Sequence, residues 1–201
     1  MSGEIRVIGL DPSATNTGIA RARVLLPSLE IRVDDIRLVK TESETGKTVR
    51  KNSDDLRRAQ IILGAFEEAV SEFNPSFFIS EIPVGSQNAR AAWLLGMTLG
   101  CIAGLKVLGM PLIQVQPNDT KMASVGKKTA SKPEIIDWAF EKYPDLDWIR
   151  HGSSKHPAKL TAANEHLADA IAVIHAGVRS AEFGQAKALM LGMMKNKLVT
   201  A

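Results

Sequence analysis

The sequence predicts an α/β fold in which a mixed central sheet is flanked by helices. Three observations predict it: apolar runs bounded by turn residues open the chain, helical periodicities then alternate with short apolar runs, and that order suits hairpin-linked strands followed by crossover connections. A length of 201 residues fits one such domain better than two. We divide the chain into a domain over 1–180 and a helical tail over 181–201.

Ile5–Leu10 is almost continuously apolar and stops at Asp11-Pro12, so it reads as a buried strand. Gly18–Leu26 and Ile31–Lys40 read as two more strands, turned between them at Pro27-Ser28. Thr41–Asn52 is polar and charged, and reads as a loop. Ser53 precedes DDLRRAQIILGAFEEAVSEF, where a cap, first-turn acids and helical spacing predict a helix. Pro75–Ile82 reads as a short strand carrying Glu81 at its end, Gln87–Leu108 as a long apolar helix, and Leu112–Val115 as a strand. Ser131 is placed to cap a helix over Lys132–Lys142, with Pro133 in its first turn. Pro144–Ala158 reads as an irregular polar loop, and Thr161 as the cap of a final core helix. The tail, Ala181–Ala201, has helical spacing with Met190, Met193 and Met194 close together, which suits packing on the body or on a partner.

The most apolar stretch is Ala91–Ile113. Lys106 interrupts it and Pro111 ends it, so its unbroken part is shorter than the ~18 residues of a membrane span; we read it as a buried helix. The single cysteine, Cys101, excludes an internal disulfide and a Cys-rich zinc site. It agrees with a reducing compartment, and MSGEIRVIGL lacks the basic-then-apolar plan of a signal peptide. These features predict a cytoplasmic protein that does not engage a membrane. Net charge is +3 and the isoelectric point about 9.0. Basic residues gather in Lys40–Arg58, Lys121–Lys132 and Lys155–Lys159, a distribution that suits a polyanion as well as plain solvated surface.

Three acids stand where an acid needs a reason. Asp11 ends an aliphatic strand and enters a turn of small residues, although Asp-Pro also starts ordinary turns. Glu81 follows Phe77-Phe78-Ile79, where a carboxylate is costly unless it reaches solvent or a partner such as a metal. Asp169 lies in EHLADAIAVIHAG, a helix apolar nearly all round, with His166 three residues earlier on the same face and Glu165 one residue before that. A capped salt bridge would also account for Asp169. Together, two strand-end acids and a helix-borne His-x-x-Asp can converge at one end of the sheet. Such an oxygen-rich set suits Mg²⁺, with Mn²⁺ as a substitute. Two ions held roughly 3.5–4 Å apart serve phosphodiester hydrolysis.

These segments resemble the RuvC branch of the ribonuclease H-like nucleases, the Holliday junction resolvases. IGLDPSATNTGIA resembles the family's first motif. ISEIPVGSQNARAAWLLGMTLGCIAGLKVLGMPLIQVQP resembles the stretch from the catalytic Glu through the long helix. KMASVGKKTASKPEI resembles a lysine-bearing loop and helix start, and HLADAIAVIHAG the closing motif, where other members carry Asp-x-x-Asp-Ala or His-x-x-Asp-Ala. The resemblance runs from Ile5 to Gly177. It implies a ribonuclease H-like fold and a homodimer formed largely through the helix after Glu81, where Gly96, Gly100 and Gly104 recur. It also implies metal-dependent cleavage of branched DNA, with Asp11, Glu81, His166 and Asp169 as catalytic metal ligands. Lys121, Lys127, Lys132, Asn88 and Arg90 become the expected nucleic-acid contacts. Ser13 departs from the family's Gly, and Val84 stands where bacterial resolvases place an aromatic wedge. The Met-rich tail and the 41–52 loop have no counterpart. Other readings stay open at this level: a flap- or fork-selective nuclease, an RNA-processing nuclease, a sugar-kinase or actin-like fragment, or a branched-DNA-binding protein without catalysis.

Overall fold

The computed structural model describes the backbone of residues 3–44, 46, 48–82, 85–86, 88–153 and 156–199, and their side chains except those of 153, 156–158 and 193–199. Val84, Lys155 and the side chains of Met193 and Met194 thus lie outside the described residues. A five-stranded sheet has the order β3-β2-β1-β4-β5. The strands are β1 (Gly3–Asp11), β2 (Asn16–Leu26), β3 (Ile31–Lys40), β4 (Phe77–Glu81) and β5 (Leu112–Val115). β2 runs antiparallel to β1 and β3, whereas β4 and β5 run parallel to β1 and to each other. The helices are α1 (Lys51–Phe73), α2 (Ala89–Val107), α3 (Pro117–Ser124), α4 (Lys132–Lys142), α5 (Asn164–Gly177) and α6 (Ala181–Val199). The expected mixed sheet with helices on its faces is therefore present.

The two-residue period of the strands sorts the core into two halves. Ile8, Leu10 and Phe78 face α1 and α2, where Ile62, Phe66, Ile102 and Leu105 are buried. Ile5, Val7 and Ile79 face α3, α4 and α5, where Ile135, Leu167, Ile171 and Ile174 are buried with Phe183 of α6. The α5 contact is unusually close. A Cβ at Gly9 would stand 2.1 Å from the Ala170 carbonyl oxygen, and one at Gly18 would stand 1.9 Å from that of His166.

Several local expectations need correction. α1 begins at Lys51, with Arg50 at its N-cap and no side-chain cap bond, so Ser53 is inside the helix. Asp54 and Asp55 are buried and engaged by arginines, Asp54 by Arg57 and Asp55 by Arg90; those partners outweigh a capping role. α2 is not a buried helix. Thr98, Cys101, Ile102 and Leu105 are its buried residues, while Trp93 is 59% exposed and Val107 89%. Length and composition alone would let α2 cross a membrane, and only 22% of its most apolar stretch is buried; its apolar residues face two ways. α3 was not anticipated, although Pro117 in its first turn is a start signal. Ser131 does form the capping box with Glu134 at the head of α4.

The expected loop over Pro144–Ala158 holds a second sheet, the hairpin β6 (Arg150–Ser153) and β7 (His156–Leu160). Thr161 does not cap α5, which starts at Asn164 behind Ala163. The backbone N–H of Thr161 instead donates to the Ile149 carbonyl at 3.1 Å, closing the hairpin base and drawing Thr161 away from the helix start.

Candidate metal centre

Strand alternation brings the acids together. Asp11 follows Val7 and Gly9 onto the α5 face of β1, and Glu81 follows Ile79 onto the same face of β4. The parallel register pairs Leu10 with Ser80, so the two acids leave adjacent strands at the same end. Asp11 is cross-strand partner to Gly18, and it is over Gly18 that the His166 backbone lies. The bare glycine lets α5 descend far enough for the His166 Nδ1–H to donate to Asp11 Oδ2 at 2.6 Å. One turn further along α5, Asp169 is half-buried and close enough to feel the charges of Asp11 and Glu81.

The electrostatics show how crowded this rim is. Burial, then the charges of Asp11, Glu81 and Glu165, push the Asp169 carboxyl up to about 7, against an opposing pull from His166. Burial also raises Glu81; a hydrogen bond with Thr120 and the nearby Lys121 act against it, and Asp11 adds to it. The hydrogen bond to Asp11 raises His166. Lys132 forms an ion pair with Glu165 and is raised by it, with Asp169 and Asp11 adding to the effect. The four candidate ligands therefore sense one another, and Lys121 and Lys132 border them. Among the described residues no three His, Cys, Asp or Glu side chains are already drawn close enough to enclose an ion; His166 occupies Asp11 instead. The donor set is nonetheless three carboxylates and an imidazole, which suits a hard divalent cation. The rise at Asp169, due first to burial and then to the neighbouring carboxylates, is one that a bound cation would oppose.

The other expected nucleic-acid contacts sit elsewhere. Asn88 Oδ1 caps α2, accepting from the N–H groups of Arg90 at 2.9 Å and Ala91 at 3.1 Å. Arg90 grips Asp55 with two nitrogens, and Trp93 Nε1 donates to the same carboxylate at 3.0 Å. Lys127 pairs with Glu134. The basic run over Lys40–Arg58 is also less available than its composition suggests, since Arg57 pairs with Asp54 and Glu44. Arg58 is buried and donates to the Ala14 carbonyl at 2.7 Å and Thr41 Oγ1 at 2.9 Å. Sequence reading missed Arg58 as the anchor of the loop after Asp11, because an Arg-Arg pair on a helix looks like solvated charge. It also missed Thr120, whose only signal was the Pro-Asn-Asp-Thr start of α3.

No family model matches the chain. Among curated proteins, the crossover junction endodeoxyribonuclease RuvC of Chlorobium chlorochromatii is 33% identical over 79 residues, which are 39% of this chain and 41% of that protein. The chain thus spans less than half the length of that relative. The RuvC of Protochlamydia amoebophila is 27% identical over 136 residues, covering 67% of this chain and 75% of that protein. Among solved structures, T. thermophilus RuvC in complex with Holliday junction substrate matches with a TM-score of 0.65 at 23% identity, over 90% of this chain and 96% of that one. The yeast mitochondrial Holliday junction resolvase Ydc2 matches with a TM-score of 0.56 at 14% identity, over 87% of this chain and 79% of that one. The fold is ribonuclease H-like.

Proposed function

We propose that this chain, RuvC-like in sequence and fold, is a divalent-cation-dependent endonuclease that resolves Holliday junctions by hydrolysing phosphodiester bonds. What supports the reading is that Asp11 and Glu81 end adjacent parallel strands on one side while His166 of α5 bonds Asp11 and Asp169 feels the charge of both acids. Residues 1–180 form the nuclease body in this reading, with 181–201 as a helical appendage. A cytoplasmic location belongs to the same reading.

Asp11, Glu81 and Asp169 would hold Mg²⁺, as one ion or two. The cation supplies an activated water and neutralises charge on the leaving oxygen. With Nδ1 donating to Asp11, the His166 ring would, once it has given up its second proton, offer Nε2 to orient the attacking water and take its proton. Lys132, paired with Glu165, and Lys121, near Glu81, would hold the scissile phosphate. Symmetric cuts need two sites, and the exposed apolar side of α2 supports a two-fold dimer. A Cβ at Gly96 or Gly100 would touch nothing within 4 Å, so that side is open to a second copy; Gly104 instead packs on Leu63 of α1.

Labelled four-way, flap and fork DNA compared at one salt concentration, with and without Mg²⁺, test the reading. We expect paired symmetric nicks in the four-way junction, and Asp11→Asn to retain binding while losing cutting. Cutting that survives in Asp11→Asn removes the site assignment. Preference for flaps or forks removes the resolvase reading but leaves the nuclease.

A further inference from the structure

We propose that the β6–β7 hairpin is a phosphate-gripping arm that holds a DNA strand beside the cleavage rim, an inference that rests on the endonuclease reading above. Nothing in that reading uses the hairpin. Between Asp147 and Glu165 the sequence contains no acid, so the arm carries no carboxylate of its own. Arg150, His151 and Lys159 are all exposed. The antiparallel register sets His151 directly opposite Lys159, which places both side chains on one face of the ribbon. That face presents an ammonium and an imidazole, two groups suited to donating hydrogen bonds to phosphate oxygens. At the base, the Arg150 guanidinium lies over the Phe140 ring, 5.3 Å from its centroid.

The arm is mounted on the helix that carries the site. Asn164, the first residue of α5, is fully buried. Its Nδ2 donates to the carbonyls of Ile149 at 2.7 Å and Thr161 at 3.0 Å, and its Oδ1 accepts from the Ile149 N–H at 2.9 Å. His166 is two residues further along the same helix. A bound strand would therefore be held at a fixed offset from the candidate ligands. An open groove of about 440 Å³ links Leu160 and Thr161 at the base of the arm to Lys132, with Asp137 and the Lys132-paired Glu165 also on its wall.

The test measures binding to a fluorescent four-way junction across a salt series. An Asp11→Asn parent, which does not cut, is compared with the same chain carrying His151→Ala and Lys159→Ala. We expect the plot of log Kd against log salt to become shallower by roughly 0.9 for each phosphate the arm no longer neutralises. The weakening should be equal for junctions of different sequence. Lys159→Arg should keep the parental slope, as should Lys142→Ala at the far end of α4. Matching melting temperatures exclude misfolding as the cause. A parent that binds, with a double variant whose line superimposes on it, overturns the arm alone. A parent that binds no junction overturns the endonuclease reading and the arm with it.

Discussion

Asp169 is the residue on which the charge balance of the rim turns. Its carboxyl sits at about 7 in the folded chain, so folding takes up a proton that the unfolded chain has already lost. This contribution to stability is fully present below the ordinary aspartate value of 3.8 and disappears as pH rises through about 7. His166, raised by Asp11, adds a contribution of the same sign, lost as pH rises through its elevated value. Calorimetry in EDTA should therefore show these contributions falling from pH 5 to pH 8. Saturating Mg²⁺ should cancel much of the fall, because a bound cation favours the ionised carboxylate. Asp169→Asn should flatten the profile in EDTA, and an unchanged slope in that variant would contradict the assignment. Asp169 and His166 were legible in the sequence because polar groups on an all-apolar helix need partners. Glu165 was visible as an acid but not as the tether of Lys132, since an ion pair between residues 33 positions apart leaves no local pattern.

At the level of elements, the depth at which α5 lies on the sheet decides whether the rim forms. Gly18→Ala puts a methyl group against the His166 carbonyl. Lifting the helix should cost about 1–3 kcal/mol, as overpacking does, and should lower activity beyond what the stability loss explains by parting His166 from Asp11. Denaturant melts alongside cleavage rates would separate the two effects. Asn164→Ala leaves the N–H of Ile149 without its partner, whereas the Ile149 carbonyl keeps the Thr161 N–H; the expected cost is about 1–3 kcal/mol, with faster amide exchange at the hairpin base. The five main strands could be read from the sequence because apolar runs and the turn residues that bound them are local. The hairpin could not, since RHGSSKHPAKL offers little apolar alternation and its pairing is fixed from outside by Asn164. The start of α5 was misjudged for the same reason, as Thr161 belongs to the hairpin.

For the whole molecule, α2 is the element whose role the monomer leaves incomplete. Its surface is almost uniformly apolar in sequence, which does not distinguish a side facing the sheet from one facing a second copy. If the exposed side joins two copies, Leu99→Asp should shift the chain to monomer in sedimentation velocity while leaving the fold intact, because Leu99 is 44% exposed. Paired nicking should then fall to single nicking. A monomeric parent chain would argue against that interface. The inward side of the same helix has a practical corollary. Cys101, the only cysteine, is 2% exposed, and burial raises its thiol above the usual value, so little reactive thiolate is available. The unmodified chain should resist maleimide dyes. A thiol introduced at an exposed site such as Lys128→Cys would then be the sole attachment point, and a fluorophore there would report the arrival of a junction in real time without first deleting the native sulfur.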